Sequence, residues 1–181
     1  MKRKIETINF IKIDAQRITQ TCRIYSHWKQ LDAEIRTLST RGVNFPGELS
    51  ENFACYALGY LLNKGKGGDA YDPKTDKIIE MKGTGADTDD LSSFSPSEEF
   101  DELVFVKLNK KEDCIYIYET GVDSEDLKHI LVNRKETVGD QQKVGKRPRF
   151  SVYKKIIEPN NIKPSVKFDI ISKEITRLEN E

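Results

Sequence analysis

Two acidic residues and a lysine carry the strongest chemical signal in this chain: Asp69, Glu80 and Lys82. They lie in residues 67–83, which read as a short strand, a polar turn and a second strand, with Asp72-Pro73 and Thr75-Asp76 as turn material. Alternation along the second strand puts Ile78, Glu80 and Lys82 on one face, and Ile79 and Met81 on the other. Charged side chains on a face shared with an isoleucine are costly to bury unless they are paired or bound to a metal. A hairpin closing between them would set Asp69 beside Glu80. Two adjacent carboxylates are held comfortably by a shared proton or a hard divalent cation, and the nearby lysine supplies positive charge where a phosphodiester would sit. Charged residues make up 33% of the chain, so such a triplet also arises by chance. The competing reading is an exposed hairpin with an incidental Glu-x-Lys.

The surrounding elements must hold that hairpin. Residues 10–40 read as a helical N-terminal region, with apolar residues at three- and four-residue intervals from Ile11 to Leu38. A second helix is expected from Asn44 as cap, with Pro46 in its first turn and Glu48 and Glu51 near its positive end. For those two acids, simple helix-terminus electrostatics competes with a role in the site. The glycine-rich stretch 65–68 leads into the hairpin, and it lacks the spacing of a nucleotide-binding loop. Residues 84–97 form a long polar loop without periodicity, of a length often functional. Strands follow over 103–108 and 114–119. With the hairpin they make at least four strand candidates. Residues 127–131 and 152–157 could each be helix or strand, and 133–149 is polar, basic and glycine-containing. An amphipathic helix is expected to close the chain over 165–181.

Composition narrows the chemistry. A length of 181 residues suits one domain able to bury its own core. No apolar stretch approaches the length of a membrane span, and no signal-peptide core follows the charged residues 1–4, so a cytoplasmic protein is expected. Three widely spaced cysteines make no zinc or redox pattern and are read as core thiols. Only 2 histidines are present, so any metal must rest on carboxylates, which favours magnesium or manganese. Net charge is zero but segregated. Residues 1–68 carry 11 Lys and Arg against 6 acids, residues 69–126 carry 6 against 17, and residues 128–173 carry 12 against 4. Basic flanks around an acidic centre suit an anionic polymer and a metal, although the blocks could also simply neutralise one another.

Asp69 followed by Glu80-Met81-Lys82 resembles the active-site pattern of the PD-(D/E)xK nuclease superfamily, with Gly68 where a proline usually precedes the aspartate. Residues 44–157 as a whole resemble the small type II restriction endonucleases of that fold. Three blocks carry the match: residues 45–52 around Glu51; the hairpin extended by Ser93-Phe94-Ser95-Pro96 and Phe100-Asp101; and the basic run 145–151. Their order and spacing are far more specific than the triplet alone. A narrower resemblance is to a Bacillus-type family cutting GCNGC palindromes.

The resemblance implies an α/β, restriction-endonuclease-like fold, with a central mixed sheet flanked by helices, in one nuclease domain over 1–181. It implies magnesium on Asp69, Glu80 and Glu51 (less so Glu48), with manganese expected to substitute and no organic cofactor. Lys82 would orient or help deprotonate the attacking water. The reaction would be hydrolysis of double-stranded DNA leaving 5'-phosphates, with Lys146, Arg147, Arg149, Ser93 and Ser95 contacting the DNA. For the serines, ordinary loop capping is an equal reading. Cutting both strands of a palindrome implies a homodimer, with residues 10–38 the candidate interface. A structure-selective nuclease or junction resolvase of the same fold, an inactive DNA-binding protein, and a protein-interaction domain are the alternatives.

Overall fold

The computed structural model describes residues 10–86, 90–97 and 99–179. The charged residues 1–4, and Asp87, Thr88 and Asp89 of the long loop, lie outside the described residues. In chain order the elements are β1 (Phe10–Lys12), α1 (Ala15–Leu38), α2 (Gly47–Leu58), β2 (Leu61–Asn63), β3 (Ala70–Asp72), β4 (Lys77–Thr84), β5 (Ser92–Ser93), β6 (Glu102–Asn109), β7 (Cys114–Glu119), α3 (Ser124–Lys128), α4 (Val138–Lys143), β8 (Arg149–Phe150), a π-helical turn (Tyr153–Ile157), β9 (Val166–Asp169) and β10 (Ile175–Arg177).

Eight strands form one sheet in the order β1-β2-β3-β4-β6-β7-β9-β10. The β4–β6 pair is parallel and its neighbours are antiparallel, so the sheet is mixed. Both faces are covered, and the alternation of β4 and β6 decides what each strand sends where. Ile79, Met81, Val104 and Val106 join Ile18, Tyr25, Phe53 and Phe168 in the core beneath α1 and α2. Ile78, Leu103 and Phe105 join Leu127, Val138, Val152 and Ile156 on the other face, under α3, α4 and the π-helical turn. This is the expected mixed sheet between helices. Among the described residues no helix is long and apolar enough to cross a membrane.

Several elements differ from the sequence expectation. The C-terminal segment is not a helix: β9 pairs with β7, and β10 folds back on β9. Val166 and Phe168 are fully buried with Lys167 between them, a two-residue period that sheet pairing rewards. Asp169 closes the intervening turn by accepting from the amides of Ile171 and Ser172. At the other end, Phe10–Lys12 is an edge strand on β2, and α1 begins only after Asp14, whose carboxylate caps it through the Arg17 amide at 2.8 Å. Asn44 does not cap α2: the helix follows Pro46, and the Asn44 carbonyl accepts from Trp28 Nε1 at 3.0 Å. Residues 133–149 include α4, held by a capping box between Thr137 and Asp140. The long loop contains β5, which pairs with β8.

Candidate active site

β3 and β4 are antiparallel, with Ala70 opposite Ile79 and Tyr71 opposite Ile78. Extending that register by one residue sets Asp69 against Glu80. The Asp69 amide donates to the Ile79 carbonyl at 2.8 Å, and its carboxylate accepts from the Met81 amide at 2.7 Å. The side chain is therefore fixed by the strand it faces. Glu80 is only 2% exposed, and Lys82, two residues along the same face, donates to its Oε1. The Lys82 ammonium also sits 5.1 Å from the centre of the Phe94 ring. So the face shared with Ile78 carries a buried carboxylate, Glu80, paired with a half-buried Lys82 beside the Phe94 ring.

Gly68, where the resembling superfamily usually has proline, has φ +76, which proline cannot adopt. A Cβ there would collide with Ile78 Cγ2 and lie 3.1 Å from the Ile79 carbonyl oxygen. The glycine lets the chain turn sharply and close on β4 immediately before Asp69.

α2 crosses β4 at Gly83, where a Cβ would run into the Ser50 side chain. That close approach brings Glu51 into the field of Asp69 and Lys82. Burial, then the charges of Asp69 and Glu48, push the Glu51 carboxyl up to about 7, and Lys82 partly opposes them. Glu48 is exposed in the first turn of α2. Cys55, one turn beyond Glu51, is buried; burial together with Glu51 and Asp69 pushes its thiol far up, so it is held protonated and unfit as a nucleophile. Cys22 and Cys114 are likewise buried and free.

The donor set is all carboxylate oxygen, the type a hard cation prefers, and Glu51 is raised first by burial and then by the charges of Asp69 and Glu48. In that sense Asp69, Glu80 and Glu51 suit magnesium. Among the described residues, however, no three acidic, histidine or cysteine side chains converge on one ligating point. Glu80 is instead turned to Lys82.

With a raised pKa, Glu51 favours folding while protonated, and that contribution is lost as pH rises from about 4.5 through about 7. In chelator, wild type should therefore lose thermal stability relative to Glu51→Gln between pH 5 and 8. Parallel melting curves across that range would contradict this.

Phe100 and Asp101 lead into β6, which begins at Glu102. Asp101 accepts from the Ile78 amide at 2.8 Å and returns its own amide to the Ile78 carbonyl, while Phe100 is buried. This aromatic–Asp pair clamps β6 to β4 below the site. Ser93 of β5 lies opposite Arg149 of β8, and Phe94 stacks on Phe150 at 5.1 Å. Through Phe94, the basic segment is thus joined to Lys82. Arg149, Arg147 and Lys146 are exposed, whereas Ser93 and Ser95 are half-buried. The Ser95 carbonyl accepts from Gln142, and Lys146 lies 3.7 Å from Glu136.

Asp90 is a residue that the sequence patterns did not single out. It is buried and accepts from Ser92 Oγ, Ser151 Oγ and the amides of Val152 and Tyr153, at 2.6 to 3.1 Å. It welds the middle of the long loop to the end of the basic run 145–151 and the two residues that follow it. A lone aspartate in a loop of acids gives no sequence signal for a partner some sixty residues away.

A family model described as Bsp6I restriction endonuclease matches residues 13–159. The chain belongs to the Bsp6I restriction endonuclease family. The type II restriction enzyme Bsp6I of Bacillus sp. (strain RFL6) is 50% identical over 170 residues, covering 94% of this chain and 98% of that protein. No solved structure gives a significant match. The match to the Bsp6I family spans the β3–β4 hairpin, α2 and the basic run together, and with it the enzymatic class: a type II restriction endonuclease.

Proposed function

We propose that this restriction endonuclease cuts double-stranded DNA at the β3–β4 hairpin, with Asp69, Glu80 and Glu51 holding magnesium and Lys82 serving the attacking water. The observation that carries this is the strand register that sets Asp69 against Glu80 with Lys82 on the same face, in a chain similar over 94% of its length to a type II restriction enzyme. Bound there, magnesium supplies positive charge to the phosphate oxygens and makes a water more acidic; manganese would substitute. Lys82 donates to the incoming water oxygen or to a phosphate oxygen, offsetting the charge that builds up on phosphorus. The water oxygen bonds to phosphorus, the bond to the 3' oxygen breaks, and the departing oxygen takes a proton. A 5'-phosphate and a 3'-hydroxyl result. No organic cofactor is needed.

Lys146, Arg147 and Arg149 engage the DNA, with Ser93 and Ser95 beside them. The guanidinium fork suits phosphates and guanine edges alike. The recognition sequence we assign is GCNGC. β1 and β10, the first and last elements among the described residues, both belong to the eight-stranded sheet, which supports a single nuclease domain. The enzyme works as a two-fold dimer, one active site for each strand. Ile24, Leu31 and Leu38 support α1 as the contact: they recur every seven residues along it and are exposed, Leu38 at 84%.

The test is digestion of a long unmethylated duplex in magnesium or in chelator, followed by sequencing of the fragment ends. Discrete fragments in magnesium alone, ending in 5'-phosphates within GCNGC, are expected. A smear would favour a structure-selective nuclease, and uncut but bound DNA an inactive binding protein.

A further inference from the structure

Beyond the hairpin and the basic run, the molecule has a second cationic feature. A cleft of about 760 Å³ opens between the loop that follows α1 and residues 83–86 and 90–93. One wall begins at Gly83, so the cleft starts one residue along β4 from Lys82 of the candidate active site. Arg36, Arg41, Lys110 and Arg149 line it. Among the described residues Asp90 is the acid that lines it, and its oxygens are already engaged by two hydroxyls and two backbone amides.

Two of these cations are held in place from beneath. Asp32 is 4% exposed, yet it accepts from Arg36 Nε at 3.0 Å, from Lys110 Nζ at 3.3 Å and from the Val43 amide at 2.7 Å. One buried carboxylate thus fixes cations from α1 and from the β6–β7 turn, together with the backbone of the loop between α1 and α2. Gly42 of that loop is pressed so close that a Cβ would collide with Asp32. Burying one carboxylate to align two cations leaves the cluster net positive on the cleft side. That arrangement is hard to justify by stability alone, since buried ion clusters contribute little to it. Phe45 packs edge-on against Trp28 at 5.2 Å and shapes the cleft floor beneath them.

Resting on the reading of this chain as a DNA-cutting enzyme, we propose that this cleft is a backbone-binding site for the DNA flanking the scissile phosphate. Arg41, Arg36 and Lys110 contact phosphates, and Asp32 is their positioning residue. A phosphate contact carries no sequence information, so it acts on affinity for every duplex and on its salt dependence.

The experiment is duplex binding in chelator over a range of salt concentrations, for wild type, Arg41→Ala, Lys110→Ala and, as a control on a distant surface cation, Lys128→Ala. Arg41 makes no contact with Asp32 in the hydrogen-bonded cluster, so Arg41→Ala tests the site without disturbing it. Each cleft variant should weaken binding about fivefold, equally for duplexes with and without GCNGC, and lower the log–log salt slope by about 0.9. Asp32→Asn should do the same through misplacement of Arg36 and Lys110, whereas Lys128→Ala should match wild type. Unchanged affinity and slope in Arg41→Ala and Lys110→Ala, with wild type still binding and cutting, would overturn the inference and leave the nuclease reading standing. A loss seen only with GCNGC would overturn the backbone assignment. Wild type that neither binds nor cuts would instead remove the nuclease reading itself.

Discussion

Lys82→Ala should leave a protein that binds DNA but cuts it about a thousandfold more slowly. The lysine is the cation on the face shared by Asp69 and Glu80, and the Phe94 ring holds its ammonium in place. In the proposed mechanism its removal deletes the group offered to the water and the phosphate. It also strips the nearly buried Glu80 carboxylate of its ion-pair partner Lys82, whose own side chain is 19% exposed. Breaking such a pair from one side costs about 3 kcal/mol, so a lower melting temperature should accompany the loss of activity. Magnesium should restore part of that stability, because a cation bound in the folded state shifts the equilibrium toward it. Lys82→Gln keeps most of the side chain over Phe94; it should melt closer to wild type and still fail to cut. A Gln variant that cuts at the wild-type rate would show that the charge is not used.

The second large effect runs against the superfamily pattern. Gly68→Pro would rebuild the usual Pro-Asp pair, yet it should be strongly destabilising. Proline is fixed near φ −65°, whereas Gly68 has φ +76. The turn would have to open, and the Asp69 amide and carboxylate would leave Ile79 and Met81. A loss of about 3 kcal/mol or more is expected, with cleavage abolished. Gly68→Ala should be milder, about 1–2 kcal/mol from the left-handed backbone, with the Ile78 collision added. Thermal melts and plasmid cleavage read both effects. A Gly68→Pro protein as stable and active as wild type would mean that the turn is not built as described.

What could be read from the sequence was local. β4 lies between two covered faces, so its alternation separated Ile78, Glu80 and Lys82 from Ile79 and Met81, and the structure puts Ile78 in one core and Ile79 and Met81 in the other. The turn chemistry of Asp72-Pro73 made the hairpin legible, and with it the approach of Asp69 to Glu80. What stayed hidden depends on partners distant in the chain. The stacking of Phe94 on Phe150 and the three bonds to Asp90 from Ser151, Val152 and Tyr153 join residues more than fifty positions apart, with no pattern in either segment alone. Residues 165–181 look amphipathic in isolation, but β7 offers an open edge, and pairing with it outweighs helix propensity for Val166 and Phe168. The left-handed turn at Gly68 is set by the closeness of Ile78 and Ile79, which composition does not reveal.

The most direct measurement is single-turnover cleavage in a preassembled complex. Enzyme and a GCNGC duplex are mixed in chelator, the complex is confirmed, and excess magnesium starts the reaction, with wild type beside Lys82→Gln. The account predicts that both proteins hold the duplex, that wild type cuts each strand once within the site, and that the variant leaves it intact over many wild-type half-lives. Equal cutting by the two proteins, or cutting by wild type before magnesium is added, would contradict the assignment of the β3–β4 hairpin as the catalytic centre.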